Sequence, residues 1–224
     1  MKVTLLIPTL NEIDGMKAIM PRIKKEWVDQ ILIVDGGSVD GTAEYARKNG
    51  YDVLIQKTKG VLNAYIEALE VASGDVIVIF TPDGNCIPEL IPVLLEKMKE
   101  GYDMVIVSRY LDGAKSYDDD MTTAFGNWFF TKLINILYSG NYTDTLGGFR
   151  AWKKDLFKRI GVKPDIFSFE PYSAIVCAKL KLRVTEIPGD EPARIGGTRK
   201  MRPLINGSWV VWIILKLLFT RHEK

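Results

Sequence analysis

The chain has 224 residues, 47% of them hydrophobic and 26% charged, which suits one large domain with a buried core and argues against intrinsic disorder. Lys and Arg number 30 against 28 Asp and Glu, and a net charge of +2 excludes a protein whose main business is coating nucleic acid. The single histidine, His222, lies almost at the C-terminal end, which excludes Ser-His and Cys-His nucleophiles and His-containing zinc sites, while Cys86 and Cys177 are too few for an all-cysteine zinc site or a disulfide framework. Two cysteines fit a reducing compartment. Chemistry must therefore rest on carboxylates, Lys and Arg and backbone amides, with or without a hard metal ion.

Short apolar runs alternate with helical patterns from the start. Strands are expected over residues 3–7, 30–34, 53–55, 76–80, 104–107 and 183–187. Helices are expected over 13–25, 42–48, 61–72, 88–99, 121–138, 155–160 and 171–180, with Pro88 suited to a first turn. The opening run stops at Pro8 and is too short for a signal peptide, so it reads as a buried first strand. Repeated strand–helix units with fully apolar strands give an α/β chain, with a mostly parallel sheet covered by helices on both faces. Residues 188–203 read as a basic loop.

The tail differs. Residues 203–215 carry no charge, Lys216 interrupts, and Leu217, Leu218 and Phe219 follow. The stretch 204–220 falls short of the roughly 20 apolar residues a span needs. Its apolar positions lie all round the helix, and Trp209 and Trp212 favour a membrane interface. Three placements stay open: on one leaflet, packed on the domain or in a homo-oligomer, or a true span. The division expected is one domain over 1–203 and an apolar helix over 204–224.

In doubly wound sheets ligands bind beyond the carboxyl ends of the strands. Polar residues cluster at those ends here, in 8–12, 35–42, 81–85 and 108–110. The glycines of D-G-G-S-V-D-G-T (35–42) let the backbone turn tightly. Asp35 can accept hydrogen bonds from a nucleobase or ribose, and Thr42 can cap the next helix; a plain strand–turn–helix connection fits equally well. No G-x-G-x-x-G follows the first strand and no G-x-x-x-x-G-K-[ST] occurs, which disfavours Rossmann and P-loop enzymes. The G-G-T-R at 196–199 is similar to the glycine-rich loop of sugar nucleotidyltransferases, but that loop belongs after the first strand, so the match reads as chance. Asp83 suits Mg2+ or Mn2+, which can neutralise a leaving diphosphate. Arg194, Arg199, Lys200 and Arg202 beside Gly196 and Gly197 suit phosphate, or equally a lipid headgroup.

The ordered set I-P-T-L-N-E (7–12), V-D-G-G-S-V-D-G-T (34–42), K-G-V-L-N-A-Y (59–65), P-D-G-N-x-x-P-E (82–89), S-R-Y (108–110), D-T-L-G-G-F-R-A (144–151), F-E (169–170) and R-I-G-G-T-R-K (194–200) resembles family 2 glycosyltransferases of the GT-A fold. Within them it resembles the dolichyl- or polyprenyl-phosphate sugar synthases, over nearly the whole chain. The resemblance implies that Pro8, Glu12, Asp35 and Lys59 hold the base, ribose and neighbouring diphosphate of a nucleotide sugar. It implies that Asp83, with Asn85, helps bind the metal, and that Arg194 and Lys200 clamp the diphosphate from a closing loop. Arg109, Asp144 and Glu170 then lie near the donor sugar or acceptor. The activity implied is inverting transfer from a UDP- or GDP-sugar to a polyprenyl or dolichyl phosphate or a glycan, at the cytoplasmic face of a membrane or in the cytoplasm.

Two departures stand out. Thr81 replaces the first carboxylate of D-x-D, which lowers the charge at the metal. The arginines that face an acceptor phosphate after S-R-Y are absent; Asp118, Asp119 and Asp120 stand there instead and repel a lipid phosphate. A hydroxyl acceptor needs a base, and Asp118, Asp119, Asp120 and Asp144 are candidates, the triplet reading more readily as a solvated loop. Thr81 also admits a membrane-associated subunit that binds nucleotide sugar without turnover.

Overall fold

The computed structural model describes residues 1–164, 166, 168–196 and 202–220. Its elements in chain order are β1 (Val3–Thr9), α1 (Ile13–Ile19), β2 (Gln30–Asp35), α2 (Thr42–Lys48), β3 (Asp52–Ile55), α3 (Val61–Val71), β4 (Val76–Ile79), α4 (Leu90–Lys99), β5 (Met104–Ser108), α5 (Met121–Tyr138), β6 (Arg150–Lys153), α6 (Leu156–Arg159), α7 (Phe169–Lys179), β7 (Val184–Pro188) and α8 (Pro203–Phe219). The strands form one sheet in the order β3-β2-β1-β4-β6-β5-β7, parallel except for β6, which runs antiparallel between β4 and β5.

The apolar strands are continuous because both sheet faces are covered. Leu6, Leu32, Val34, Ile77 and Ile79 point to one core with residues of α3, α5, α7 and α8. Leu5, Ile7, Ile33, Val76 and Val78 alternate onto the other, against Met16 and Ile19 of α1, Ala46 of α2 and Leu94 of α4. The register Leu6↔Leu32 and Leu6↔Ile79 fixes β1 in the middle.

Three elements differ from the sequence expectation. α1 stops at Ile19 and a 3-10 turn takes over at Met20–Arg22, because Pro21 cannot donate to a continuing α-helix. α4 begins at Leu90, two residues after Pro88. β6 has no apolar signature: it reads R-A-W-K, and its Arg150 is fully buried, held by Gly147 O and by Ser173 Oγ at 3.0 Å.

α8 buries Val210, Ile213, Ile214 and Leu217, a single i, i+3, i+4, i+7 stripe, against α5 and α7. Tyr138 donates to Ile214 O and Lys179 to Leu217 O, satisfying carbonyls late in the helix. The opposite side leaves Leu204, Val211, Trp212, Leu215, Leu218 and Phe219 exposed. No described helix is long and apolar enough to cross a membrane. Cys86 and Cys177 are free and buried.

Candidate active site

β2 and β3 extend the sheet to one side of β1, and β4 starts the other side. The crevice beyond the carboxyl end of β1 is therefore the switch point where doubly wound sheets bind ligands. A cleft of about 1280 Å³ opens there. Pro8, Glu12, Lys59, Asp83, Asn85, Arg109, Glu170 and Arg194 line it, as the sequence led one to expect, while Asp35 and Asp144 do not. Lys200, with Arg199 beside it, lies outside the described residues.

Asp35 is 1% exposed because the turn after β2 is built on it. Its Oδ1 accepts from Gly37 N at 3.0 Å and Ser38 N at 2.8 Å, and its Oδ2 from Thr9 Oγ1 at 3.1 Å and Ser38 Oγ at 2.6 Å. Its oxygens thus shape the loop that presents Gly36 and Gly37 to the cleft. Thr42 does not cap α2, whose cap is the left-handed Gly41. Its hydroxyl accepts from Glu12 N at 3.0 Å and donates to Asp40, tying the start of α1 to that of α2.

Asp83 stands on the turn after β4. Thr81 Oγ1 donates to its Oδ1 at 2.9 Å and Asn85 N at 3.2 Å, and its Oδ2 pairs with Arg194 Nη1 at 2.8 Å. Ile195 N donates to Asp83 O at 2.6 Å, and Asn85 Nδ2 to Pro192 O at 2.8 Å, so the loop after β7 is laid across this turn. α1 packs closely beneath: a Cβ on Gly15 would lie 2.3 Å from Pro82 O. Among the described residues no group of three or more His, Cys, Asp or Glu side chains converges as a metal cage. Carboxylate, hydroxyl and amide oxygens on one turn do suit Mg2+ or Mn2+ completed by substrate phosphates and water, the coordination such ions prefer.

Arg109, after β5, reaches Asp144 through Nε at 2.7 Å and Nη2 at 3.1 Å. Its Nη1 lies 3.2 Å from both Asp119 Oδ2 and Glu191 Oε2. Asp144 is fully buried and also accepts from Asn127 Nδ2 at 3.0 Å, Leu146 N at 3.1 Å and Gly147 N at 2.9 Å. Burial works to raise its carboxyl, but the Arg109 guanidinium and these donors hold it below the usual carboxylate range. An ionised, walled-in carboxylate positions Arg109; it has no opening through which to take a proton from a ligand.

The cleft also has an apolar lining. Phe125, Phe129 and Phe130 of α5 and Leu204, Trp209 and Val210 of α8 contribute to it. Sequence reasoning missed this apolar lining, and it missed Glu191. Glu191 sits in a stretch that reads as basic; its place just past the end of β7 was the one signal that could have found it.

Residues 4–161 match the profile of Glycosyl transferase family 2. The chain belongs to this family. This family 2 glycosyltransferase of the GT-A fold is 30% identical to an undecaprenyl-phosphate mannosyltransferase of Micrococcus luteus over all of its own length and 97% of that relative. It is 31% identical to a dolichol-phosphate mannosyltransferase of Pyrococcus furiosus, over 90% of the chain and 60% of that longer relative. It is 28% identical to the glycosyltransferase AglJ of Haloferax volcanii, over 92% of the chain and 68% of that relative. Among solved structures it superposes on glucosyl-3-phosphoglycerate synthase from Mycobacterium tuberculosis, crystallised with Mn2+, UDP and phosphoglyceric acid, with a TM-score of 0.70 and 18% identity, over 98% of this chain and 79% of that one.

Proposed function

We propose that this glycosyltransferase moves a hexosyl group, with inversion, from a UDP- or GDP-sugar to a polyprenyl-linked acceptor, a lipid phosphate or a glycan. The observation that carries this reading is the mixed lining of one cleft: Asp83 and Arg194 by the strand ends, together with aromatic rings of α5 and α8. An amphiphile and a nucleotide sugar fill such a cleft head to head. The names of the M. luteus and P. furiosus relatives point the same way.

Glu12, Lys59 and the Gly36–Gly37 loop would hold the nucleoside and its nearer phosphate, with Pro8 as floor and Asp35 as the buried frame of that loop. Arg194, with Lys200, would hold the terminal phosphate and stabilise the charge that grows on it as the glycosidic bond breaks. Asp83 and Asn85 would hold a divalent ion, Thr81 keeping Asp83 Oδ1 in place. Bound there, such an ion supplies positive charge to the leaving diphosphate. Arg109, steadied by Asp144, and Glu170 would orient the sugar and the acceptor head.

The exposed apolar faces of α5 (Met121, Trp128, Ile136) and α8 (Leu215, Phe219) would seat the protein peripherally on the membrane from which the acceptor enters. The test is transfer from radiolabelled UDP- and GDP-hexoses, with Mn2+, into the organic phase with prenyl-tailed acceptors in vesicles. Label in the lipid fraction is expected, and about 10²–10³-fold less with Asp83→Ala. Label that stays in the aqueous phase with every donor sinks the reading.

A further inference from the structure

We propose that the nucleophile is an uncharged hydroxyl on the amphiphilic acceptor, and that Glu191 receives its proton. The inference rests on the donor reading above and narrows its acceptor.

Glu191 lines the cleft on the loop after β7. That loop is zipped to the acidic loop before α5: Tyr117 N donates to Glu191 O at 2.8 Å and Glu191 N to Lys115 O at 2.9 Å. Its next residue, Pro192, accepts from Asn85, and Arg194 reaches Asp83. Glu191 is thus anchored beside the turn assigned to the diphosphate, where the sugar carbon that reacts is attached, and not at the nucleoside end.

Its side chain is set up to take a proton. Oε2 accepts from Arg109 Nη1 at 3.2 Å and from Ser116 Oγ, while Oε1 accepts from neither. Burial pushes its carboxyl above the usual carboxylate range, offset in part by the Arg109 guanidinium, and a more basic carboxylate is a better general base. Its neighbours are engaged. Asp144 has no exposed surface, and Asp119, 4% exposed at its side chain, accepts from Tyr110 OH at 2.6 Å and from Arg109.

Charge decides against a phosphate at this point. The Arg109 guanidinium is surrounded by Asp144, Asp119 and Glu191, three carboxylates on one cation. Asp118 and Glu170 also line the cleft. An anionic nucleophile entering beside Arg109 meets three carboxylates on one guanidinium and is repelled, whereas an uncharged hydroxyl is not. In the step, the hydroxyl oxygen bonds to the anomeric carbon and the bond from that carbon to the diphosphate oxygen breaks. The electron pair leaves with the nucleoside diphosphate, and the proton passes to Glu191 Oε1.

The experiment gives the full chain, Mn2+ and UDP- and GDP-hexoses two acceptors with one farnesyl tail: farnesyl phosphate and a farnesyl glycoside. Transfer to the glycoside is expected at least about tenfold faster. Glu191→Gln is expected to lower that kcat by about 10²-fold or more, with the donor KM within about twofold and the melting temperature held. Glu191→Asp, which keeps a carboxylate, should recover part of the rate. Faster transfer to farnesyl phosphate, or a Glu191→Gln rate close to that of the parent chain, overturns the inference. So does nucleotide binding with transfer to neither acceptor, which leaves the donor reading standing; a chain that binds no nucleotide removes both.

Discussion

Arg194 Nη1 lies 2.8 Å from Asp83 Oδ2, joining the loop after β7 to the turn after β4 across the mouth of the cleft. Each partner carries the charge that a nucleotide diphosphate with its divalent ion would seek. On the proposed function, donor binding would trade this pair for two new ones, Arg194 to phosphate and Asp83 to metal. Asp83→Ala is expected to cut transfer by about 10²–10³-fold, the scale of losing one stabiliser of developing charge. Arg194→Ala should raise the donor KM as well as lower kcat. Steady-state kinetics on variants of unchanged melting temperature check both.

Gly15 sets how closely α1 approaches the Asp83 turn. A methyl group there would lie 2.3 Å from Pro82 O and 3.1 Å from Asp83 Cα, both backbone atoms that cannot swing aside. Gly15→Ala is expected to cost about 1–3 kcal/mol by overpacking and to weaken nucleotide binding as the turn is pushed outward. Denaturant unfolding and nucleotide titration on one preparation check that the two losses come together.

These turns show what sequence could and could not tell. β1, β2, β4 and β5 were legible because a strand buried on both faces has no polar interruption, and their polar ends marked the cleft. β6 was hidden because its burial depends on Arg150 finding partners, Gly147 O in the turn just before it and Ser173 Oγ on α7. Glu12, Lys59, Asp83 and Arg194, picked out by type and order, line one cleft. What their spacing could not carry was direction. Asp35 and Asp144 have the right chemistry, yet local backbone donors turn both inward. Glu191 is distant in sequence from Arg109 and Ser116, and only the packing of two loops joins them.

The Arg109–Asp144 pair links the site to stability. Asp144→Asn leaves a buried guanidinium short of its main counter-charge and is expected to destabilise the chain by about 3–5 kcal/mol. Because Asp144 is held below the usual carboxylate range when folded, the unfolded chain takes up that proton first as pH falls below about 4. Unfolding there is coupled to proton uptake, so this contribution is present above pH 4 and lost as pH falls through the lowered folded value. Glu191 and Glu186, both pushed up by burial, act in the opposite sense: their contributions are present below about pH 4 and lost as pH rises through their raised folded values. Thermal unfolding from pH 7 to pH 3 should show a smaller acid-side loss for Asp144→Asn than for the parent chain.

The outer face of α8 makes a separable prediction. Leu215 is 53% exposed and Phe219 88%, so neither contributes to the core. Each would gain about 1.5–3 kcal/mol on burial in lipid. Replacing both by Ser is expected to leave the melting temperature unchanged and to reduce co-sedimentation with phospholipid vesicles at least about tenfold. Equal sedimentation of both proteins removes the membrane face.

The most direct test of the donor site is calorimetric titration of UDP and of GDP, each with and without Mn2+, into the parent chain and Asp83→Ala. The account predicts that one nucleotide binds, that Mn2+ tightens it at least about tenfold, or 1.4 kcal/mol, and that Asp83→Ala removes this gain. Binding of neither nucleotide, or a Mn2+ effect of the same size in Asp83→Ala, would contradict it.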